Sequence, residues 1–430
     1  MIGAGLLGLP KAFGEVGLAL AFPGSFVLAL INALGCTRLI ETKLTLMNKM
    51  TKMTSEKSDE DESESSMEAD VDINGDMGLG PGAACGRAVF GTPGLIMAAL
   101  GVLGTQLGIA LAYIIFIQVT LEDTVWFQGV SPMVLRVVAY FIFTALSFVK
   151  GLSSLAILSM IALAAYVIVI VDMIVRGAGS ISSAENISFG DAWVPIKTDG
   201  IQGWFGSTVF AYEGIVIATF VFDDMQVTTT DKFNKVVITG YSISWAIFSF
   251  VGIYGYLAYG STVEVPIYLN FPKGQVDVIF DKLILIFVLF LSFPLQMFPA
   301  YSFADRLLIK QRSPSDAIVS DTDSEIEGSE DQLGPHHSRG KMIVDAVTRI
   351  TIVTIMCIIA ALLPKADCVT DLVGAVFMSL MAFVLPGAVH FAVHRGSMST
   401  YEAVTDVLLV LIGVVSAATG IYSTPKCFAS

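Results

Sequence analysis

The sequence predicts an all-α polytopic membrane protein with about 11 transmembrane helices. Of its 430 residues, 54% are hydrophobic and only 14% are charged, and the mean hydropathy is +0.75. A soluble domain normally has about a quarter charged residues. Runs such as Gly94–Thr120 and Leu283–Ala304 have the roughly 20 apolar residues that a bilayer crossing requires. They are apolar all round, which favours helices over the alternating strands of a β-barrel.

Eleven hydrophobic segments follow one another along the chain, and we number them spans one to eleven. Span one, Met1–Gly17, has the length of half a crossing. Full spans are predicted at Leu18–Thr42, Gly94–Thr120, Val134–Phe148, Leu152–Val175, Gly203–Phe222, Val236–Tyr259, Val276–Leu308, Met342–Leu363, Leu372–Val393 and Val404–Ile421. Spans one and two therefore occupy residues 1–46, spans three to eight residues 94–309, and spans nine to eleven residues 342–423.

Two polar connections, residues 47–93 and 310–341, interrupt this hydrophobic body. Their most acidic stretches have net charges of −9 and −7, against −14 for the whole chain. Such segments bury too little apolar surface to fold, so we expect solvated linkers. The alternative is regulation by kinases, because acidic residues follow Ser58 and Ser324. The remainder of the chain is near neutral and lacks the basic face that nucleic-acid binding requires.

The distribution of Lys and Arg predicts the orientation in the membrane. Sixteen of the 24 lie in connections on one side, and the excess marks the cytoplasmic side. Both acidic loops then face the cytoplasm, where kinases act. The sequon at Asn186 falls in the outer loop between spans five and six, where it would accept a glycan. His390 and His394 fall at the cytoplasmic end of span ten and are expected to reach toward the interface.

The five cysteines have no CxxC spacing and no histidine partners. We therefore expect no metal site, no redox chemistry and no cofactor. Cys368 and Cys427 both fall on the outer side and could pair, although isolated structural thiols are the simpler expectation.

Spans one and six are interrupted at matching positions. Span one opens with GAGLLGLP from Gly3, in which glycine costs about 1 and proline about 3 kcal/mol relative to alanine in a helix. Span six contains GSTVFAYEG from Gly206. Irregular backbone at membrane depth persists where it lines a cavity or is buried in protein. Because the two spans are five apart, they predict two inverted repeats of five spans, one extra helix and a substrate site at the breaks. Close packing of small residues is the alternative.

Glu213 is an ionisable residue near the middle of span six, with no basic neighbour in that segment. A carboxyl group inside the membrane suggests a functional site by default. We expect Glu213 to be the proton-coupling residue, because removal from water favours proton uptake by a carboxylate. The alternative is a hydrogen-bonded structural role.

Six stretches, in this order, form a recognisable pattern. They are GAGLLGLPKAF from Gly3, TQLGIALAYIIF from Thr105, VFAYEG from Val209, GYLAYG from Gly255 followed by LNFP from Leu269, FPLQ from Phe293 and AFVLP from Ala382. Together they resemble the amino acid/auxin permease family, and within it the proton-coupled amino acid transporter branch. The likeness covers nearly the whole chain apart from the acidic loops.

The resemblance implies a leucine-transporter-like fold with a five-plus-five inverted repeat. It also implies transport of small neutral amino acids, coupled to protons by symport or by export from an acidic compartment. The backbone of Gly3, Ala4 and Gly5, with Leu7 beside it, is expected to face the substrate carboxylate. Because Met1 stands directly before the break, we expect the cytoplasmic half of span one to lie in upstream sequence.

Four further side chains are candidates for substrate contact. Phe210 and Tyr212 flank the break in span six and could shape the pocket for the substrate side chain. Gln106 on span three and Ser292 on span eight are polar positions on apolar helices. Such positions more often form hydrogen bonds between helices.

The alternative function is an amino-acid sensor of the same fold that signals through its cytoplasmic loops. Neither the pore loop or charged ring of an ion channel nor the catalytic constellation of an enzyme is visible. The expected partners are an amino acid, protons and the lipid bilayer. The expected location is the plasma membrane or a vacuolar or lysosomal membrane.

Overall fold

A computed structural model describes residues 4–57, 81–149, 152–181, 197–224, 230–260, 263–310, 335–363 and 365–429. These residues form helices and short connections, with no β-strand among them. Eight of their helices are long and apolar enough to cross a membrane, and Pro132–Leu146 is a shorter apolar helix. The predicted all-α polytopic fold class is confirmed. Gly3, Ser58, Asn186 and Ser324 lie outside the described residues.

The unbroken spans generally extend beyond their predicted ends. Spans two to five are Leu18–Lys57, Pro81–Asp123, Pro132–Leu146 and Leu152–Ile181; spans seven to nine are Thr230–Tyr259, Val276–Lys310 and Pro335–Leu362; span eleven is Thr400–Ala429. Short 3-10 helices occupy Val125–Phe127 and Ile267–Asn270. The predicted loops 47–93 and 310–341 are therefore too long, because residues 47–57, 81–93 and 335–341 are helical. At the start of span three, Gly91 (φ 65°) and Pro93 bend the helix, which made that segment look like a loop in the sequence.

Spans one and six are interrupted where the sequence predicts. Span one begins as a 3-10 helix, Ala4–Gly8, and continues as an α-helix, Leu9–Val16, with Pro10 in its first turn. Span six consists of two half-helices, Ile201–Ala211 and Ile215–Asp224, separated by three residues.

Span ten is also irregular, which the sequence analysis missed. It runs as Ala366–Leu372, two π-helical stretches at Val373–Met378 and Leu380–Val384, and Leu385–His394. Within the first π-helical stretch, Gly374 touches span six so closely that an added Cβ would lie 1.9 Å from the carbonyl oxygen of Gly206. π-Helical turns frequently occur at functional sites.

The helices pair as two five-span repeats predict. Spans one, two, three and four pack against spans six, seven, eight and nine, respectively. Other contacts occur twice, once from each repeat. Span five packs against span eight, and the equivalent span ten packs against span three. Span four likewise packs against span eight, and span nine against span three. Such exchange follows from a pseudo-twofold relation between spans one to five and six to ten.

The ion pairs among the described residues agree with the predicted orientation. Each joins groups that the Lys and Arg distribution places on one side of the membrane. The outer pairs are Lys11–Asp367, Arg136–Glu122, Arg176 with Asp172, Asp277 and Asp281, and Asp123 with Lys273 and Lys282. The inner pairs are Arg38 with Glu41, Glu402 and Asp406, Arg349 with Asp305 and Asp345, and His390 with Glu41 and Asp406.

A disulfide joins Cys368 at the start of span ten to Cys427 at the end of span eleven. The expectation of isolated thiols is therefore wrong for this pair, because the two helices bring residues 59 positions apart in sequence side by side. Cys36, Cys85 and Cys357 remain free thiols.

Candidate substrate-binding site

The breaks in spans one and six meet backbone to backbone. A Cβ built on Gly5 would lie 2.5 Å from the Cα of Ala211 and 3.0 Å from its backbone nitrogen. Gly5 is thus required for packing, which agrees with the small-residue alternative for the first glycines. Ala4 is described only in its backbone, and Leu7 is buried beside Gly5.

Two glycines of span seven allow it to pack closely against the α-helical half of span one. A Cβ on Gly252 of span seven would lie 2.9 Å from the Phe13 ring, and one on Gly255 would lie 2.5 Å from Pro10. Span seven therefore supports the α-helical part of span one, which continues from the 3-10 helix Ala4–Gly8.

The side chain of Tyr212, in the break of span six, packs against span seven. Its ring centroid lies 5.3 Å from that of Phe248 and 6.4 Å from that of Tyr241. Its hydroxyl is directed toward Ser25 of span two without completing a hydrogen bond. Phe210 is 4% exposed, and its backbone nitrogen lies against Gly374 of span ten. The Tyr212 ring therefore packs on span seven, whereas the backbone of Phe210 lies against span ten.

Glu213 lies in the break itself and is 8% exposed. Its carboxylate accepts a hydrogen bond from the backbone N–H of Val216, at the start of the second half-helix. Its Oε1 has no hydrogen-bond partner among the described residues, and no ion pair to Glu213 is found there. The group therefore combines a capping contact with an oxygen that accepts no hydrogen bond from any described residue.

Several other buried polar atoms of spans three, six and seven also lack partners within the described part of the chain. They belong to Thr105 and Gln106 of span three, Thr208 and Tyr212 of span six, and Tyr241 of span seven. A buried polar group without a partner costs about 1–3 kcal/mol, so such atoms indicate a bound polar molecule or water. Tyr241 lies within electrostatic range of the Glu213 carboxylate.

The two polar candidates on spans three and eight, Gln106 and Ser292, differ in burial. Gln106 is fully buried, and neither atom of its amide has a partner among the described residues. It lies on the face of span three opposite Gly104 and Gly108, which contact Phe377 and Val373 of span ten. Ser292 is only half-buried on span eight.

A charged cluster that the sequence analysis missed lies at the outer end of spans one, six and ten. Ser207 donates a short hydrogen bond to Asp371, which joins span six to span ten. A Cβ on Gly203 would lie 2.5 Å from Oε2 of Glu15 and 3.3 Å from Oδ2 of Asp371. Lys11 pairs with Asp367 nearby. The only signal in the sequence was the presence of carboxyl groups at the ends of apolar spans.

His390 does not reach toward the interface, as the sequence suggested. It is 3% exposed and lies between Arg38 of span two and Asp406 of span eleven. The prediction was wrong because the partners are distant in sequence and become neighbours only when the helices pack. Asp406, an acid inside an apolar span, was the available signal.

The comparison with known families decides the identification. The sequence profile of the transmembrane amino acid transporter protein family matches residues 1–426. The chain belongs to this family. The amino acid transporter AVT3C of Arabidopsis thaliana is 27% identical over 451 aligned positions, covering 99% of the chain and 87% of the relative. Amino acid transporter AVT3A of the same plant is 23% identical, covering 98% and 86%.

A yeast relative is longer. Vacuolar amino acid transporter 4 of Saccharomyces cerevisiae is 25% identical over 357 positions, which cover 78% of the chain. The chain spans about half, 49%, of that relative's length. Membership in this family makes the chain a multi-pass membrane transporter rather than an enzyme. The relatives named here are transporters and lend no support to the sensor alternative.

Proposed function

We propose that this protein moves small neutral amino acids across a membrane through a site at the breaks in spans one and six. The observation that carries the proposal is the backbone contact of Gly5 with Ala211, where two interrupted helices meet inside the bundle. Backbone freed from helical hydrogen bonding is the feature with which transporters of this architecture hold a zwitterion.

We infer that different half-helices hold the two ends of the substrate. The first backbone amides of the 3-10 helix Ala4–Gly8, which leads into Leu9–Val16, would hold the α-carboxylate. The C-terminus of Ile201–Ala211 offers carbonyl oxygens to the α-amine. The unpaired polar atoms of Gln106, Thr208 and Tyr241 would complete these contacts.

We further propose that transport is coupled to protons through Glu213. Its unpaired Oε1 and its position in the break support this role. A carboxyl group in contact with the substrate site can bind a proton and substrate together and release both on the other side. Its contact with the Val216 N–H ties its protonation to the position of the second half-helix.

The names of two fungal relatives favour a vacuolar membrane over the plasma membrane. Both are called vacuolar amino acid transporters, from Saccharomyces cerevisiae and Schizosaccharomyces pombe. We therefore propose a vacuolar or lysosomal membrane, where a pH gradient is available to drive transport.

Uptake by the purified full chain in proteoliposomes tests the proposal. A panel of radiolabelled amino acids is offered with and without an imposed pH gradient, and a protonophore serves as the control. We expect accumulation of small neutral amino acids above equilibrium only while the gradient persists. No uptake of any amino acid by folded protein would contradict the transport assignment. Uptake that ignores the gradient would contradict proton coupling alone.

A further inference from the structure

A buried charge cluster joins spans two, ten and eleven on the predicted cytoplasmic side. Asp406 of span eleven is 0% exposed, and His390 of span ten and Arg38 of span two are 3% and 8% exposed. This cluster is separate from Glu213 and from the breaks in spans one and six. Its three helices are held together by charged groups rather than by apolar contact alone.

The contacts of His390 define which nitrogen has the proton. Its Nδ1 lies 2.6 Å from Oδ2 of Asp406, and its Nε2 lies 3.1 Å from Nη1 of Arg38. A guanidinium group has only donors, so Nε2 must accept and has no proton. Nδ1 therefore donates to Asp406, and the arrangement requires a neutral imidazole with its proton on Nδ1.

A second proton on His390 is incompatible with this arrangement. Protonated Nε2 becomes a donor and would face a donor of Arg38. Another acceptor is close, because Oε2 of Glu41 lies 3.6 Å from Nε2. Arg38 also has other acceptors within reach, with Glu402 at 3.5 Å and Asp406 at 3.6 Å. The cluster thus has two alternative sets of hydrogen bonds, selected by one proton.

Several charged and titratable groups surround His390. With His390 neutral, Arg38 faces three carboxylates, those of Glu41, Glu402 and Asp406. Other charged and titratable groups lie on the same side. His394 stacks on His390 with ring centroids 4.3 Å apart and bonds to Thr45, Lys49 lies near His394, and span three contributes Arg87 at its inner end.

We propose that His390 is a proton-binding site that senses the pH of the cytoplasmic face. Proton uptake moves Nε2 from Arg38 to Glu41 and releases Arg38 toward span eleven, which changes how spans two, ten and eleven are held together. Span ten then links the cluster to span six, since Gly374, in the outer part of span ten, packs against the backbone of Gly206 and Phe210 in the half-helix before the break. This role is independent of proton transport through Glu213 and holds whether or not the proposed substrate is correct.

Nitrogen NMR of the full chain in lipid nanodiscs tests the site directly. The chain has four histidines, and the His390 signals are assigned by their loss in His390→Gln or, if that variant does not fold, by elimination with His394→Gln and His336→Gln/His337→Gln. At pH 8 we expect a proton on Nδ1 and none on Nε2. On acidification toward pH 5, Nε2 gains a proton. A proton on Nε2 at pH 8, or no titration while the protein remains folded, would overturn the proposal.

Spin-label distances test the rearrangement. Labels at Asn48→Cys and Ser397→Cys, both exposed, report on spans two and ten in a background in which Cys357 is replaced by serine. We expect the distance to shift over the pH range in which His390 titrates, in the parent protein and in His394→Gln, the matched control. The shift should be lost in His390→Gln and in Glu41→Gln, which removes the second acceptor. A shift that persists in both variants, or none in the parent, would refute the inference.

Discussion

Gly5 and Ala211 pack backbone against backbone, with space between them for a hydrogen atom but not for a methyl group. A Cβ on Gly5 would lie 2.5 Å from the Cα of Ala211. The two broken spans therefore form one unit at the centre of the bundle. A change in either break must alter the other.

The first prediction concerns Gly5→Ala. The added methyl group cannot be accommodated without separating spans one and six, and overpacking of this kind typically costs about 1–3 kcal/mol. We expect a lower melting temperature in detergent and a large loss of amino-acid uptake. Gly8→Ala is the matched control, because its Cβ would meet only Val265, at 3.7 Å. Equal effects of the two substitutions would contradict this packing.

The second prediction concerns the link between spans six and ten. Ser207→Ala removes the donor to Asp371 and leaves that carboxyl group without this partner. We expect a loss of stability of about 1–3 kcal/mol, measured by thermal unfolding. Ser242→Ala is the control, since its hydroxyl bonds only to the carbonyl of Ile238 on the exposed face of its own helix. A Ser207→Ala protein as stable as the control would show that the contact contributes little.

The third prediction uses the disulfide to test both fold and orientation. In protein purified without reductant, Cys368 and Cys427 should resist maleimide until a reductant is added, whereas the half-buried Cys357 should react without it. Because disulfides persist in oxidising compartments, this result also places the outer ends of spans ten and eleven away from the cytosol. Free thiols at both positions in protein from membranes would contradict the predicted orientation.

The sequence was sufficient to predict features that depend on local composition. Gly206–Gly214 and the segment before Pro10 break helices because glycine and proline disfavour them, and the breaks occur there. Apolar runs of sufficient length gave the order of the spans. The spacing of five between the breaks predicted two five-span repeats, and the pairing of the helices agrees with such repeats.

Features that depend on pairing between distant helices were not predictable in this way. The π-helical part of span ten fits Gly374 against Gly206, which is a property of two helices together. His390 is buried because Arg38 and Asp406 arrive from spans two and eleven. A single sequence shows charged residues in apolar segments but not which of them meet.

The variant Glu213→Gln tests the central claim most directly, that this family member couples amino-acid movement to protons at the break in span six. Glutamine keeps the size and much of the hydrogen bonding of Glu213 but cannot ionise. Binding, substrate-for-substrate counterflow and accumulation driven by a pH gradient are measured side by side in proteoliposomes. Glu122→Gln, at an exposed ion pair with Arg136, serves as the control.

We expect Glu213→Gln to retain binding and counterflow and to lose accumulation driven by the pH gradient, while Glu122→Gln retains all three. Binding weakened at every pH by about 1.5–3 kcal/mol would instead mean that Glu213 holds the substrate amine through a charge-assisted contact. Accumulation by Glu213→Gln that equals that of the parent protein under the same gradient would contradict the account.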